Sequence, residues 1–229
     1  MKIELLDFGY VSLVESWGSD KRIIEAARMS TDKGFLGWGT HGAPGDERLL
    51  AYLMRNRHDT PFEMAGLIFE VQAPIFVFRE WHRHRTQSYN ELSARYTPLP
   101  DVNYKPTVER CLVVNSSNKQ AGKATADELT HENVLRWLEK LEESYAVSQS
   151  AYRFGLDVGI PKELARLSVP VARYSRMRAS ANLRNWLAFI TLRSAPNAQY
   201  EIRVFSDAIG RVISSAFPRT WELFEGRKL

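Results

Sequence analysis

An apolar stretch at residues 74–81 runs directly into basic and polar side chains at residues 82–96, and this junction constrains the fold most strongly. The apolar stretch predicts a helix with Pro74 at its first position, where the fixed φ angle and missing N–H of proline are tolerated. Four basic or imidazole side chains follow at the helix end: His82, Arg83, His84 and Arg85. Cations are mildly favourable at that end of a helix, but several together repel one another, so an anion nearby is expected.

Polar side chains continue past this helix end. Four of them are spaced to line a turn with hydrogen-bond donors: Ser88, Asn90, Ser93 and Arg95. Hydroxyl, amide and guanidinium donors converge well on a phosphate dianion, and the remaining polar groups can read another part of a ligand. Composition alone leaves three interpretations open: a solvated basic helix end, a nucleic-acid surface, or a small-molecule phosphate site.

The composition is typical of a soluble globular protein, with 44% hydrophobic and 25% charged residues in a chain of 229. That length fits one domain, residues 1–229. No apolar run approaches the roughly eighteen residues of a membrane-spanning helix, and the acid within the first apolar run predicts a strand and not a signal peptide. Cys111 is the only cysteine, so no disulfide forms within the chain and a cytoplasmic location is expected. The net charge of +4 favours anionic ligands only weakly.

Hydrophobic patterns predict long helices and a few strands without regular alternation, which indicates an α+β fold. The first half contains strands within residues 1–15, a helix capped by Asp20 and ending at Met29, a glycine-rich loop over 31–45 with a mobile tip, a helix capped by Asp46 and ending at Asn56, and a strand over 64–72 with Ala65, Leu67, Phe69 and Val71 on one face. The second half contains an irregular stretch over 96–125, helices over 127–154 and 161–167, a strand over 171–181, a helix capped by Asn182 and ending at Thr191, and a last helix over 196–217.

Two further segments carry candidate ligand groups. His58, Thr60 and Glu63 lie between a helix and a strand and are placed to face one cleft, although an ordinary turn capped by Thr60 explains the same residues. The cap at Asn182 leaves free backbone donors that suit an anion. Arg184 and Arg193 follow on that helix, nine positions apart, so they do not share a helix face, and a surface ion pair is the plainer explanation of either.

Arg166 stands among apolar neighbours and is predicted to be buried. A buried arginine needs an anionic or hydrogen-bonded partner, for which Glu63, Glu91 and a ligand phosphate are the candidates.

Several familiar sites are absent from the sequence. It has no Gly-x-Gly-x-x-Gly after a strand, no phosphate loop ending in Gly-Lys-Ser/Thr and no His-Glu-x-x-His. His82 and His84 point to different sides of a helix and make a poor metal pair, so no metal site is predicted. Ser88 and Ser93 lack an elbow motif and an evident base for nucleophilic chemistry.

Taken together, these residues resemble the signature of the flavin-dependent thymidylate synthases, which is Arg-His-Arg, seven variable residues and Ser. Arg83, His84, Arg85 and Ser93 meet it here. The extended signature is met by Ser88, Asn90, Arg95 and Tyr96, and the resemblance runs over nearly the whole chain. It includes Ala27-Arg28-Met29-Ser30, the turn at 58–63, Ala165-Arg166, Asn182-Leu183-Arg184 and Arg193.

The resemblance implies a homotetrameric methyltransferase with a mixed or antiparallel sheet, long helices and sites shared between subunits. Such an enzyme makes dTMP from dUMP with methylenetetrahydrofolate as the one-carbon donor. FAD, reduced by NADPH, supplies the hydride, and the nucleophile is not a cysteine. The implied partners are these small molecules and other copies of the chain, without nucleic acid or membrane.

The resemblance also implies residue roles. For dUMP binding it implies Arg83, Glu80, Glu91, Leu92, Ser93, Ala94, Arg95, Arg166 and Arg193. For FAD it implies Ser30, His58, Thr60, Glu63, Arg83, His84, Arg85, Asn90, Glu91, Asn182, Arg184, Ala188, Leu192 and Asn197. Arg193 and Ser93 are the expected catalytic residues. Because carbon 5 of uracil is a poor nucleophile, Arg193 is expected to stabilise a pyrimidine that has lost its imide proton.

The chain departs from the family pattern at three of these positions. Glu80 stands where a glutamine is expected beside the nucleotide, and its carboxylate would repel a phosphate unless it turns away or pairs with Arg79 or Arg83. Ala188 replaces a frequent asparagine, and Asn197 replaces a frequent histidine. The loops 31–45 and 103–125 look longer than the family minimum.

The competing interpretation is a non-catalytic nucleic-acid or nucleotide binder that uses residues 83–95 as a basic patch. Against it, small polar groups and the acid Glu91 stand where stacking aromatic residues would be expected.

Overall fold

A five-stranded antiparallel sheet forms the centre of the computed structural model, which describes residues 1–39, 44–113 and 129–226. The strands are β1 (Lys2–Leu5), β2 (Gly9–Trp17), β3 (Gly66–Pro74), β4 (Ser88–Glu91) and β5 (Tyr174–Asn182). Their order is β1-β2-β3-β5-β4, and every pair is antiparallel. The predicted α+β class with an antiparallel sheet is confirmed.

Helices connect and flank these strands. They are α1 (Asp20–Arg28), α2 (Glu47–Arg55), α3 (Ile75–Trp81), α4 (Val108–Leu112), α5 (His131–Asp157), α6 (Lys162–Ala165), α7 (Leu183–Arg193), α8 (Tyr200–Ala216) and α9 (Pro218–Glu225). Short 3-10 helices occupy Met29–Thr31, Thr60–Met64 and Arg166–Ser168.

The core lies between one face of the sheet and the helices α7 and α8. The alternating side chains of β3 are buried as predicted, and Phe69 packs edge-on against Trp186 of α7 with ring centroids 5.1 Å apart. The Trp186 indole donates to the carbonyl of Leu67 at 3.0 Å. Burying this large ring while satisfying its N–H fixes the position of α7 against the sheet.

The cap of α1 differs from the prediction. Ser19, and not Asp20, accepts the helix donor, from the Arg22 amide at 3.2 Å. Asp20 is buried and instead accepts bonds from the amides of Arg219 and Thr220, at 3.0 and 3.2 Å, and from the Thr220 hydroxyl. Its carboxylate therefore ties α1 to the start of α9, near the other end of the chain.

Asp46 occupies the cap position of α2, but its side chain makes no capping bond. The carboxylate accepts bonds from Arg28 and from the Leu36 amide, the latter at 2.8 Å. Burial opposes ionisation, yet these hydrogen bonds hold the pKa of Asp46 below its usual value. The tip of the glycine-rich loop, predicted to be mobile, includes residues 40–43, which lie outside the described ranges.

Several element boundaries also differ. Pro74 ends β3 and caps α3, so it precedes the first helical residue. The 3-10 turn delays the start of β3 to Gly66, and α8 starts four residues after Pro196, at Tyr200. The sequence did not predict β4 or α4, and α5 extends to Asp157. Predictions that fall on residues 114–128 lie outside the described ranges.

Candidate active site

Arg193, at the C-terminal end of α7, is held by three hydrogen bonds to the end of α3 and the residues after it. Its Nε donates to Nε2 of His84 at 2.9 Å. One terminal nitrogen donates to a carboxylate oxygen of Glu80 at 2.8 Å, and the other donates to the Glu80 carbonyl at 3.1 Å. The two charged side chains are only 20% and 30% exposed. The guanidinium is therefore fixed in a half-buried position, and Glu80 has turned to Arg193.

His84 is neutral at physiological pH. Its ring is half-buried and packs edge-on against Phe189 of α7, with centroids 4.8 Å apart. Burial, together with the Arg193 charge, lowers the pKa of His84 to about 4. The unprotonated Nε2 is consequently available to accept the Arg193 bond, which a charged imidazole could not do.

The turn after α3 is braced from inside. The Tyr89 hydroxyl donates to the carbonyls of Trp81 and His84, at 3.2 and 2.7 Å. The Trp81 indole donates to the Gln87 side chain at 3.0 Å. Arg83 and Arg85 are exposed on this turn, and neither side chain has a hydrogen bond or ion pair within the described part of the chain. The turn therefore presents two free cations on a rigid support.

Ser93 closes the next turn. After β4, which pairs with β5 at the sheet edge, the Leu92 amide donates to the Arg176 carbonyl at 2.7 Å. The Ser93 carbonyl accepts from the Tyr96 amide at 3.0 Å, and its hydroxyl accepts from the Arg95 amide at 3.3 Å. These bonds fix the backbone of the turn around Ser93, with the exposed side chain of Arg95 on it.

Arg166 is exposed, so the prediction that it is buried is wrong. It begins the short 3-10 helix that follows α6, and the apolar neighbours Leu164 and Leu167 are themselves 52% and 80% exposed. Arg166 donates to the Glu163 carbonyl at 3.3 Å, while Arg95 lies 3.7 Å from the Glu163 carboxylate. Glu163 thus contacts two arginines, Arg166 through its carbonyl and Arg95 through its carboxylate.

The 58–63 turn is joined to the start of α7. Arg184 donates to Asp59 at 3.2 Å and lies 3.6 Å from Glu63. The predicted cap is confirmed, because the Asn182 side chain accepts from the Asn185 amide at 2.9 Å. The Asn185 side chain in turn donates to the Thr86 carbonyl at 3.0 Å. These contacts hold the start of α7 to both loops that the sequence singled out.

A cavity of about 500 Å³ opens beside this junction. Most of its lining surface is apolar, although half of the lining residues are polar. The lining residues are Met54, Arg57, Asp59, Phe62, Thr86, Arg184, Asn185, Leu187, Ala188, Thr191, Leu192 and Phe224. Three residues predicted to bind a flavin therefore lie in it: Arg184, Ala188 and Leu192. Such a cavity suits a flat apolar ring with a polar tail.

Other predicted flavin residues lie near this cavity or away from it. His58 and Thr60 are exposed neighbours of Asp59, and His58 packs edge-on against Tyr52 with centroids 5.5 Å apart. Ser30 is exposed after α1 and donates to the Ala27 carbonyl at 3.1 Å. Asn197 is exposed between α7 and α8, and Asn90 is exposed on β4. None of these five residues is among those that line the cavity.

Comparison with known proteins identifies the family. The family model described as "Thymidylate synthase complementing protein" matches residues 12–219. The chain belongs to this family. Relatives named flavin-dependent thymidylate synthase include one from Thermus thermophilus, 40% identical over 98% of this chain and 78% of its own, and one from Pseudothermotoga lettingae, 39% identical over 98% and 93%. The sequence-based recognition of this family, and of a methyltransferase enzyme within it, is confirmed.

A solved relative has the same fold. This is a UMP/dUMP methylase, PolB from Streptomyces cacaoi, bound with 5-bromo-dUMP. It is 34% identical, has a TM-score of 0.81, and matches 98% of this chain and 97% of its own.

Among the residues that the structure describes, no helix is both long and apolar enough to cross a membrane.

Sequence reasoning missed some partners of the site residues in this member of the family. Asp59 holds Arg184, Asn185 holds the turn at Thr86, and Glu163 lies between Arg95 and Arg166. The position of Asn185 three residues after the Asn182 cap was the one local signal available for it. Arg95 and Glu163 are too far apart in sequence for a local pattern to predict their contact.

Proposed function

We propose that this chain is an FAD-dependent thymidylate synthase that converts dUMP to dTMP, with methylenetetrahydrofolate as the carbon donor and NADPH as the reductant. The observation that carries the proposal is the fixed guanidinium of Arg193. Three of its five N–H donors are used by Glu80 and His84, and two remain for a ligand. The names of the relatives support the flavin and the nucleotide.

The nucleotide phosphate is assigned to the Ser93 turn. Arg95 and Arg166 supply exposed guanidinium groups, and the Ser93 hydroxyl and the Ala94 backbone supply neutral donors. A phosphate dianion that binds both arginines gains charge-assisted hydrogen bonds, and it would displace the weak 3.7 Å contact between Arg95 and Glu163. Glu91, Leu92 and Arg83 lie in sequence on either side of this turn and complete the nucleotide contacts that the family resemblance implies.

The flavin is assigned to the cavity beside α7. The residues present fit it: the lining is apolar enough for the isoalloxazine ring, and Arg83 and Arg85 are unpaired cations of the described chain that suit its diphosphate. Arg184 lines this cavity, whereas Asn182, His58, Thr60, Glu63 and Asn90 are assigned to the flavin by the family resemblance alone. When bound and reduced by NADPH, this group supplies the hydride.

Arg193 activates the pyrimidine. A guanidinium against the uracil carbonyls stabilises the ring after loss of its imide proton and moves negative charge toward carbon 5. Neutral His84 holds the Arg193 plane without adding a competing positive charge. Because both partners of Arg193 come from one braced segment, the stabilising charge is in place before the nucleotide arrives.

Cys111 is not the nucleophile in this proposal. It lies on α4 beside Arg110, whose guanidinium is already paired with Glu201 at 2.8 Å. Burial raises the pKa of the Cys111 thiol, so the thiolate that attack on carbon 6 of uracil would need is disfavoured.

The working form is proposed to be a homotetramer in the cytoplasm, without nucleic-acid or membrane partners. Large apolar side chains are exposed along α5 and just after α6, among them Val147 at 71%, Phe154 at 68% and Leu167 at 80%. A second copy would bury this surface. It would also bring in groups such as Ser30 and Asn197, which one chain leaves apart from the cavity.

The test is a pair of measurements on the purified protein. A flavin enzyme is yellow and its visible absorbance bleaches with NADPH, and dTMP then forms only when dUMP and methylenetetrahydrofolate are both present. UMP is assayed in parallel because PolB is described as a UMP/dUMP methylase. A colourless protein whose affinity for nucleic acid falls steeply with salt would contradict the proposal and support the binding alternative.

A further inference from the structure

Glu80 contacts Arg193 through both its carboxylate and its backbone carbonyl, at 2.8 and 3.1 Å. Within residues 1–39, 44–113 and 129–226, no other carboxylate forms an ion pair with this guanidinium. The arginines of the same segment are exposed: Arg79, Arg83 and Arg85. Solvent and salt screen those charges, whereas Glu80 and Arg193 are half-buried and are screened less.

The bonds to Glu80 define where Arg193 can act. A planar guanidinium held through three nitrogens cannot rotate without breaking at least one bond, so its two remaining N–H groups keep fixed directions. A neutral side chain at position 80 could accept one of these bonds, but only a carboxylate also cancels part of the charge. Position 80 therefore controls both the orientation of the arginine and the field that it exerts on a ligand.

We infer that Glu80 is a positioning residue that fixes the guanidinium of Arg193 at the nucleotide and weakens its positive field there. This inference rests on the proposed function. The size of the effect follows from Coulomb's law. At an effective dielectric constant of about 20, a carboxylate about 6 to 12 Å from the ionising imide raises its pKa by roughly two units at the shorter distance and one unit at the longer.

The experiment titrates bound 5-bromo-dUMP, the ligand of the solved relative. Its bromine makes the imide more acidic than that of dUMP, and ionisation changes its near-ultraviolet spectrum. Difference spectra are recorded against pH on the flavin-loaded wild-type protein and on Glu80→Gln, which keeps the shape and one acceptor but removes the charge. We expect the bound ligand to ionise about one pH unit lower in Glu80→Gln, with KM for dUMP changed less than about threefold.

A matched control separates this effect from a general loss of charge. Glu143→Gln removes a carboxylate of α5 that is paired with Lys140 on the surface, and it should leave the titration unchanged. If Glu80→Gln does not fold, Glu80→Asp withdraws the carboxylate from Arg193 by one methylene and should shift the titration in the same direction by less. An unchanged or upward shift in whichever variant folds overturns the inference.

The outcomes also distinguish this inference from the proposed function. A wild-type protein that makes dTMP, combined with a Glu80→Gln titration identical to wild type, refutes the role of Glu80 alone. A wild-type protein that neither binds 5-bromo-dUMP nor forms dTMP refutes both.

Discussion

His84 accepts a hydrogen bond from Arg193 at 2.9 Å, across 109 positions of sequence. The bond requires that His84 be unprotonated at Nε2, and the burial of its ring ensures this. A histidine within the signature motif thus supports the arginine on which the proposed chemistry depends. His84 of the Arg-His-Arg motif therefore has a structural role, which is to hold Arg193, in addition to any contact with a ligand.

Replacing Arg193 with alanine should lower dUMP-dependent turnover by about 100-fold or more, because the electrostatic stabilisation of the ionised pyrimidine is lost. NADPH bleaching of the flavin should persist, since Arg193 lies at the other end of α7 from Arg184. Steady-state dTMP formation measures the effect. Arg211→Ala, on the exposed side of α8, serves as the control. Turnover equal to wild type in Arg193→Ala would refute its assigned role.

Acid should destabilise the protein through His84. The unfolded chain holds this group near its ordinary pKa of 6.5, whereas the folded protein holds it at about 4. The unfolded state therefore binds more protons between these values, and the free energy of unfolding falls as pH drops through that window. Thermal melting between pH 7 and about 4 measures the slope. His84→Gln, which keeps an acceptor but does not titrate, should be less sensitive over this range, and an equal slope would contradict the assignment.

Cys111 should be dispensable. Cys111→Ala removes a half-buried thiol from α4, so we expect a small loss of stability, about 1 kcal/mol, and turnover within about twofold of wild type. Modification of the wild-type enzyme with a thiol reagent should likewise leave dTMP formation within about twofold of the untreated enzyme. A folded, flavin-loaded Cys111→Ala protein without dTMP formation would show that a thiol nucleophile is required after all.

Asp20→Ala should lower the free energy of unfolding by about 1–3 kcal/mol. The change leaves the Arg219 and Thr220 amides at the start of α9 without their acceptor, and the Thr220 side chain is fully buried. Urea denaturation measures this loss. Asp207→Ala, an exposed acid on α8, is the matched control and should change stability by less than about 0.5 kcal/mol. If Asp20→Ala and Asp207→Ala lower the free energy of unfolding equally, the bonds between Asp20 and the start of α9 contribute nothing to stability.

Local patterns predicted the fold class, the buried alternation of β3 and the Asn182 cap because each depends on residues adjacent in sequence. The Arg-His-Arg and serine spacing predicted the family for the same reason. The Glu80–Arg193 pair and the bonds from the start of α9 to Asp20 could not be predicted. They join residues that are 113 and 199 positions apart. Arg166 shows the opposite error: its apolar neighbours predicted burial, but Arg166, Leu164 and Leu167 lie on two short helices whose side chains here are exposed.

Helix α7 carries Arg184 at its first turn and Arg193 at its last, and Trp186 anchors it to the sheet between them. At a rise of about 1.5 Å per residue, the two arginines are attached roughly 13 Å apart along one rigid rod. If Arg184 contacts the flavin and Arg193 the pyrimidine, as proposed, a movement of this helix changes both binding sites together. A core substitution that tilts α7 displaces both arginines at once. Substitutions in the loops at either end of α7 are therefore the way to change the affinity for one ligand without changing the affinity for the other.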